Sequence, residues 1–317
     1  MTSANETPAL DEPNTLETPC KASPSRPHRQ GSFGTRGGSA TRPLARFDTR
    51  SEIGFAGSDS ALTTLRQQSP IRFLRPRPGI GDPVTGVLVN TAGGIVGGDR
   101  LAVEITVRDN AKVLVTGQAA EKIYRSSGET ADLAVAINCG NGAGMEFLPQ
   151  GTILYDGARL CRHTRLRVDA DSQLIFGEIL YFGRTAMGET FTHGVIDDRT
   201  ELEWAGRRTW VDALRLDGCS ANAMGSSGGL GGAVCAAMLV VVTPSPSRLL
   251  DALRSVLVNG GGDGFRTATG VFDGGPLVAR WLGDDAMALR RSYAEAWCYL
   301  RAELLGRPSQ MPLIWTI

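Results

Sequence analysis

The stretch LAVEITV, residues 101–107, decides the fold. Leu101, Val103, Ile105 and Val107 fall on one side of an extended chain and Ala102, Glu104 and Thr106 on the other, the pattern of a strand that buries one face. Comparable runs flank it on both sides: VTGVLVN (84–90), AKVLVTG (111–117), ADLAVAI (131–137), ARLCRHTRLRV (158–168), SQLIFGEILYF (172–182), TELEWAG (200–206) and RTWVDALRL (208–216). Gly, Asp, Asn and Pro separate them at intervals of roughly ten residues, which points to an all-β sandwich, barrel or β-helical stack rather than alternating βαβ units.

Helical spacing appears only near the end of the chain. Ser247 is placed to cap a helix running to about Val258, with Leu249, Leu250, Leu253, Val256 and Leu257 on its apolar side. A second helix is expected from Asp284/Asp285 to Leu305, with an apolar stripe of Leu289, Tyr293, Trp297, Leu300 and Leu304, stopped by Gly306 and Pro308. Between them, GVFDGGPLVARWL (270–282) reads as a hairpin turned at Asp273-Gly274. The expected architecture is mainly β with about two C-terminal helices.

Residues 1–43 are rich in Pro, Ser, Thr and Gly and lack apolar periodicity, so they are expected to form a disordered extension, followed by one β-rich domain over 44–317. With 42% hydrophobic residues the 317-residue chain can bury a large core. Lys+Arg and Asp+Glu are both 33, so no net positive field invites nucleic acid or an acidic membrane surface, and neither is expected as a partner. Six scattered cysteines without a C-x-x-C, an acidic start without an apolar signal segment, and no apolar run longer than Ala233–Val242 lead to the expectation of a soluble cytoplasmic protein.

Motifs for bound nucleotide or catalysis are missing. NTAGGIVGGDR (90–100) has the glycines of a phosphate cradle, but a strand follows where a helix N-terminus is needed, and the three lysines occupy no P-loop. GGLGGAVCAAM (228–238) reads as a loop entering a buried apolar segment. His28, His163 and His193 form no metal array, although Cys161 and His163 share one face of a strand and make a conceivable soft ligand pair. No nucleophile elbow is present. What remains is a set of carboxylates beside turns: Asp99, Glu146, Asp156, Glu178 and Glu189. Oxygen donors hold a divalent ion weakly enough to hand it on, and two such groups equally suit the acid/base pair of a β-helical carbohydrate-active enzyme. Aromatic residues, at 6%, are few for a carbohydrate site.

Several segments, in order, resemble the urease accessory protein family UreD, also called UreH: NTAGGIVGGDRL (90–101), TGQAAEKIYRSSG (116–128), MEFLPQGTILYDGARL (145–160), FGEILYFGRTAMGETF (176–191), ALRLDG (213–218) and the end from WLGDD to LLGRPSQMPLIW (281–315). The resemblance implies a β-helical scaffold without catalysis of its own or a tightly bound cofactor. It also implies action with UreF and the GTPase UreG on apo-urease, with nickel in transit through the scaffold. Carried onto this chain, Gly93, Gly94, Gly97, Gly98 and Asp99 match the glycine-rich signature, and Lys122, Tyr124, Arg125 and Ser126 the K-x-Y-R-S element. Asp156 belongs to the family's D-G-A, and Glu178 and Glu189 to its two G-E pairs. The glycines are then expected in tight turns, Asp99, Asp156, Glu178 and Glu189 along the nickel route, and Lys122 and Arg125 against those carboxylates or a partner surface. Gly151 and Leu313 depart from the family pattern, where an acidic or amide residue and an arginine are expected.

Overall fold

A computed structural model describes residues 46–219, 224–259 and 264–316. The expected N-terminal extension lies outside them. The described residues all belong to one compact unit.

The strands are β1 (Asp48–Ala56), β2 (Ala61–Arg66), β3 (Ile71–Leu74), β4 (Val84–Asn90), β5 (Arg100–Arg108), β6 (Lys112–Gly117), β7 (Glu121–Ile123), β8 (Ala131–Cys139) and β9 (Gly144–Leu148). They continue with β10 (Thr152–Leu154), β11 (Arg159–Val168), β12 (Gln173–Phe182), β13 (His193–Trp204), β14 (Arg207–Cys219), β15 (Cys235–Val242), β16 (Phe265–Val271) and β17 (Leu277–Gly283). Helices α1 (Leu250–Asn259) and α2 (Ala286–Leu305) come late, as their periodicity predicts.

From β4 to β13 the chain winds as a β-solenoid. Successive turns lay one strand on a first sheet and one on a second, each parallel to the strand of the turn before: β5, β8, β11 and β13 on the first, β4, β6, β9 and β12 on the second. The short strands β7 and β10 and the end of β12 make a narrow third side. Unpaired strand edges are templates for aggregation. Here antiparallel strands extend both sheets, β14 beyond β13 and β15, β17 and β16 beyond β12 at one end, and β2 and β3 at the other.

This winding explains the run pattern. Strands of the first sheet have one face in the solenoid, and β5 shows strict alternation of buried and half-buried residues along LAVEITV. Strand β15 reads as an unbroken apolar run, and β12 is mostly apolar and buried along its length with Glu178 in its middle, because both faces of each strand are covered. Phe176 and Val240 face the solenoid core, while Ile175, Ile179, Leu239 and Val241 pack against α1 and α2 with Trp281, Tyr293 and Trp297.

The second helix starts where expected, with the Asp285 carboxylate accepting from the amides of Met287 and Ala288, and ends with Gly306 in the left-handed conformation. The first differs in its opening turn. Pro246–Leu249 form a 3-10 turn led by Ser245, and regular α-helix begins only at Leu250, so Ser247 sits inside that turn and is no cap. Proline at the first position of the turn fixes its φ and donates no amide, which moves the entry two residues ahead of Ser247. The hairpin of β16 and β17 turns at Asp273-Gly274 as read, with Gly274 at φ 58°. Among the described residues no helix is long and apolar enough to cross a membrane.

Candidate functional site

The glycine-rich loop joins β4 to β5 and lies against the third side of the solenoid. Ile95 pairs with Ile123, and its amide donates to the Lys122 carbonyl at 2.8 Å. A Cβ on Gly94 would stand 2.4 Å from the Tyr124 ring, and one on Gly97 2.3 Å from the Glu129 carbonyl, so close backbone packing excludes side chains there. Tyr124 also donates from its hydroxyl to the Gly93 carbonyl at 3.1 Å. Asp99 ends the loop, 1% exposed, and its two carboxylate oxygens accept the Phe47 and Val96 amides at 3.0 Å each.

Asp156 and Glu189 sit together elsewhere. Asp156 accepts from the amides of Thr192 (2.7 Å) and His193 (3.1 Å), from the Thr192 hydroxyl (3.0 Å) and from Arg125 (3.3 Å). Burial disfavours its charge, but the Thr192 and His193 donors together outweigh burial and hold the carboxyl below its usual value. Glu189 pairs with Arg184 and accepts the Asp156 amide at 3.3 Å; the arginine hydrogen bond is the main reason its carboxyl is also lowered. Arg184 in turn covers the Tyr155 ring at 4.4 Å.

Glu178 alone of the four predicted route carboxylates lines the interior. It projects from β12 into the solenoid, in phase with Phe176 and Leu180, and meets Arg162 of β11. Arg162 also grips Asp198 of β13 with Nε at 2.9 Å and with Nη2, and reaches the Thr152 hydroxyl from Nη1 at 3.2 Å. All three charged groups are nearly solvent-free. Two carboxylates against one guanidinium leave the cluster one formal negative charge.

The cluster separates two cavities, and Glu178 lines both. One, of about 240 Å³, runs between the sheets from Asn90, Glu121 and Lys122 to Thr164, Arg162 and Glu178. The other, of about 370 Å³, begins at Glu178, Asp198 and Thr200 and ends beside Asp212, Arg266 and Arg280. At the far end of the first, Glu121 is raised above its usual carboxyl value by burial, despite hydrogen bonds from the Lys122 amide and the Asn90 side chain. At the far end of the second, Asp212 takes a two-pronged hold from Arg280 at 2.8 and 3.1 Å.

Arg162, Thr164, Asp198 and Thr200 escape a reading that looks for turn carboxylates and soft metal ligands. Their signal was present: Leu160-x-Arg162-x-Thr164-x-Leu166 and Ile196-x-Asp198-x-Thr200-x-Leu202 each put two polar residues in phase with an apolar face. The strands lie in register, Arg162 opposite Asp198 and Thr164 opposite Thr200, so the polar positions join into one layer. Cys161 and His163 point from the other face of β11, where His163 lies 3.7 Å from Glu201. Among the described residues, no three His, Cys, Asp or Glu side chains are grouped to hold a metal ion.

Fold and interior together define a β-solenoid scaffold whose core contains a buried charged layer between two cavities. The chain belongs to the UreD urease accessory protein family, whose pattern matches residues 46–316. It is 40% identical to the urease accessory protein UreD of Magnetococcus marinus over 81% of this chain and 89% of the relative. It is also 40% identical to that of a Methylobacterium species (75% and 84%) and 35% to that of Dechloromonas aromatica (83% and 92%).

Proposed function

We propose that this chain is a non-catalytic maturation scaffold of the cytoplasm. In this reading it assembles with UreF and the GTPase UreG on apo-urease, and nickel ions pass through its interior toward the urease active site. The observation that carries the reading is the pair of cavities meeting at Glu178 inside a chain of this family. Threonine hydroxyls and carboxylates are hard oxygen donors that bind a divalent ion only transiently, which suits a cargo in motion. Nickel is cargo here, neither a resident cofactor nor a catalyst. The reading of paired catalytic carboxylates has weaker support, because the two interior carboxylates that meet, Glu178 and Asp198, are tied to one shared guanidinium.

The test is to express urease with its accessory proteins, with and without this chain, and to measure the activity and nickel content of purified urease. Both should fall together when the chain is absent. Unchanged nickel without the chain would remove the maturation role. Glu178→Gln should lower nickel loading severalfold while the accessory complex still assembles.

A further inference from the structure

Arg162 is a fixed cation standing where the proposed route carries cations. Its grip on its two carboxylate partners is unequal. Asp198 is held by Nε and Nη2 and Thr152 by Nη1, whereas Glu178 is reached by Nη2 alone. The side chain can therefore let go of Glu178 and keep its other two contacts. Because Glu178 lines both cavities and Arg162 lines the first, the Arg162–Glu178 contact lies at the boundary between them.

We infer that Arg162 is a latch between the two cavities: its contact with Glu178 closes the way, and its retention by Asp198 and Thr152 opens it. The inference rests on the nickel-passage reading and adds its regulation. A divalent cation arriving from the first cavity competes with the guanidinium for Glu178, and the cluster's surplus negative charge favours the exchange. Once Glu178 is free of Arg162, the cation has an oxygen donor facing the second cavity, and the Thr200 hydroxyl follows on that side. The guanidinium stays neutralised throughout by Asp198, so opening exposes no unpaired buried charge on the arginine.

Two substitutions should act in opposite directions. Arg162→Gln removes the cation and weakens closure. Asp198→Asn takes away the competing carboxylate and leaves Arg162 with Glu178 as its only full counter-charge, which strengthens closure. In a reconstituted mixture of apo-urease, the accessory proteins and nickel chloride below saturation, the initial rate of urease activation should rise severalfold with Arg162→Gln and fall severalfold with Asp198→Asn. Complex assembly by gel filtration and the melting temperature of each variant are measured alongside. Damage to the fold lowers the rate in both variants and cannot produce the increase. A rate with Arg162→Gln equal to or below wild type, in an assembled complex, overturns the latch. If Arg162→Gln does not fold, Arg162→Lys keeps the charge but loses the fork, and a rate above wild type is again required. Failure of the latch leaves the dependence of urease nickel on the chain itself intact, whereas loss of that dependence removes the passage reading whatever Arg162 does.

Discussion

At Asp99 a buried carboxylate accepts the backbone amides of Phe47 and Val96, one on each oxygen. Asp99→Ala removes both charge-assisted bonds and strands the amides, and should cost about 3 kcal/mol of stability in denaturant unfolding. Asp156 and Glu189 work differently, since donors hold their carboxyls below the ordinary values of 3.8 and 4.5. A lowered carboxyl stabilises the fold above its unfolded value, and that contribution is lost as pH falls through the lower folded value. Thermal stability should therefore decline as pH drops below about 4.5, and the decline should be shallower in Asp156→Asn.

At the scale of elements, one buried charged side chain ties α2 to the second sheet in addition to its apolar packing. Arg301, fully buried, reaches Glu146 of β9 at 3.1 and 3.3 Å, Asp82 at 2.8 Å and the Gln310 carbonyl at 2.8 Å, with its guanidinium over Trp297. Burial pushes the Glu146 carboxyl up to about 7, and Arg301 opposes that rise. Arg301→Met leaves Glu146 and Asp82 without their partner and should destabilise the protein by roughly 3–5 kcal/mol. It also frees the Glu146 carboxyl to rise further. A raised carboxyl loses stability as pH increases from its unfolded value through its folded one, so the penalty should be larger at pH 8 than at pH 5 in paired unfolding curves.

The whole molecule was legible in the sequence to the extent that its elements repeat a local pattern. Alternation along LAVEITV, the glycine and aspartate breaks, and the 3.6-residue stripe of α2 each follow from local burial, so strand positions and late helices could be read directly. The two-sheet winding could not, because parallel neighbours in a solenoid are about thirty residues apart and nothing local marks their register. The site divides the same way. Asp99, Asp156, Glu178 and Glu189 all carry the same side-chain chemistry, yet only Glu178, in the middle of β12 rather than beside a turn, faces the cavities of the solenoid, which depends on the phase of β12 relative to the core. Arg162 and Asp198 become a pair only through the register of β11 and β13.

The central claim is that nickel reaches urease through the interior of this chain, and blocking the first cavity tests it most directly. Ala120 is half-buried and lines that cavity near Glu121 and Lys122. Urease matured with Ala120→Trp in place of the wild-type chain should contain severalfold less nickel, while the accessory complex assembles and the variant melts normally. A full complement of nickel in urease from an intact Ala120→Trp complex would contradict passage through the solenoid.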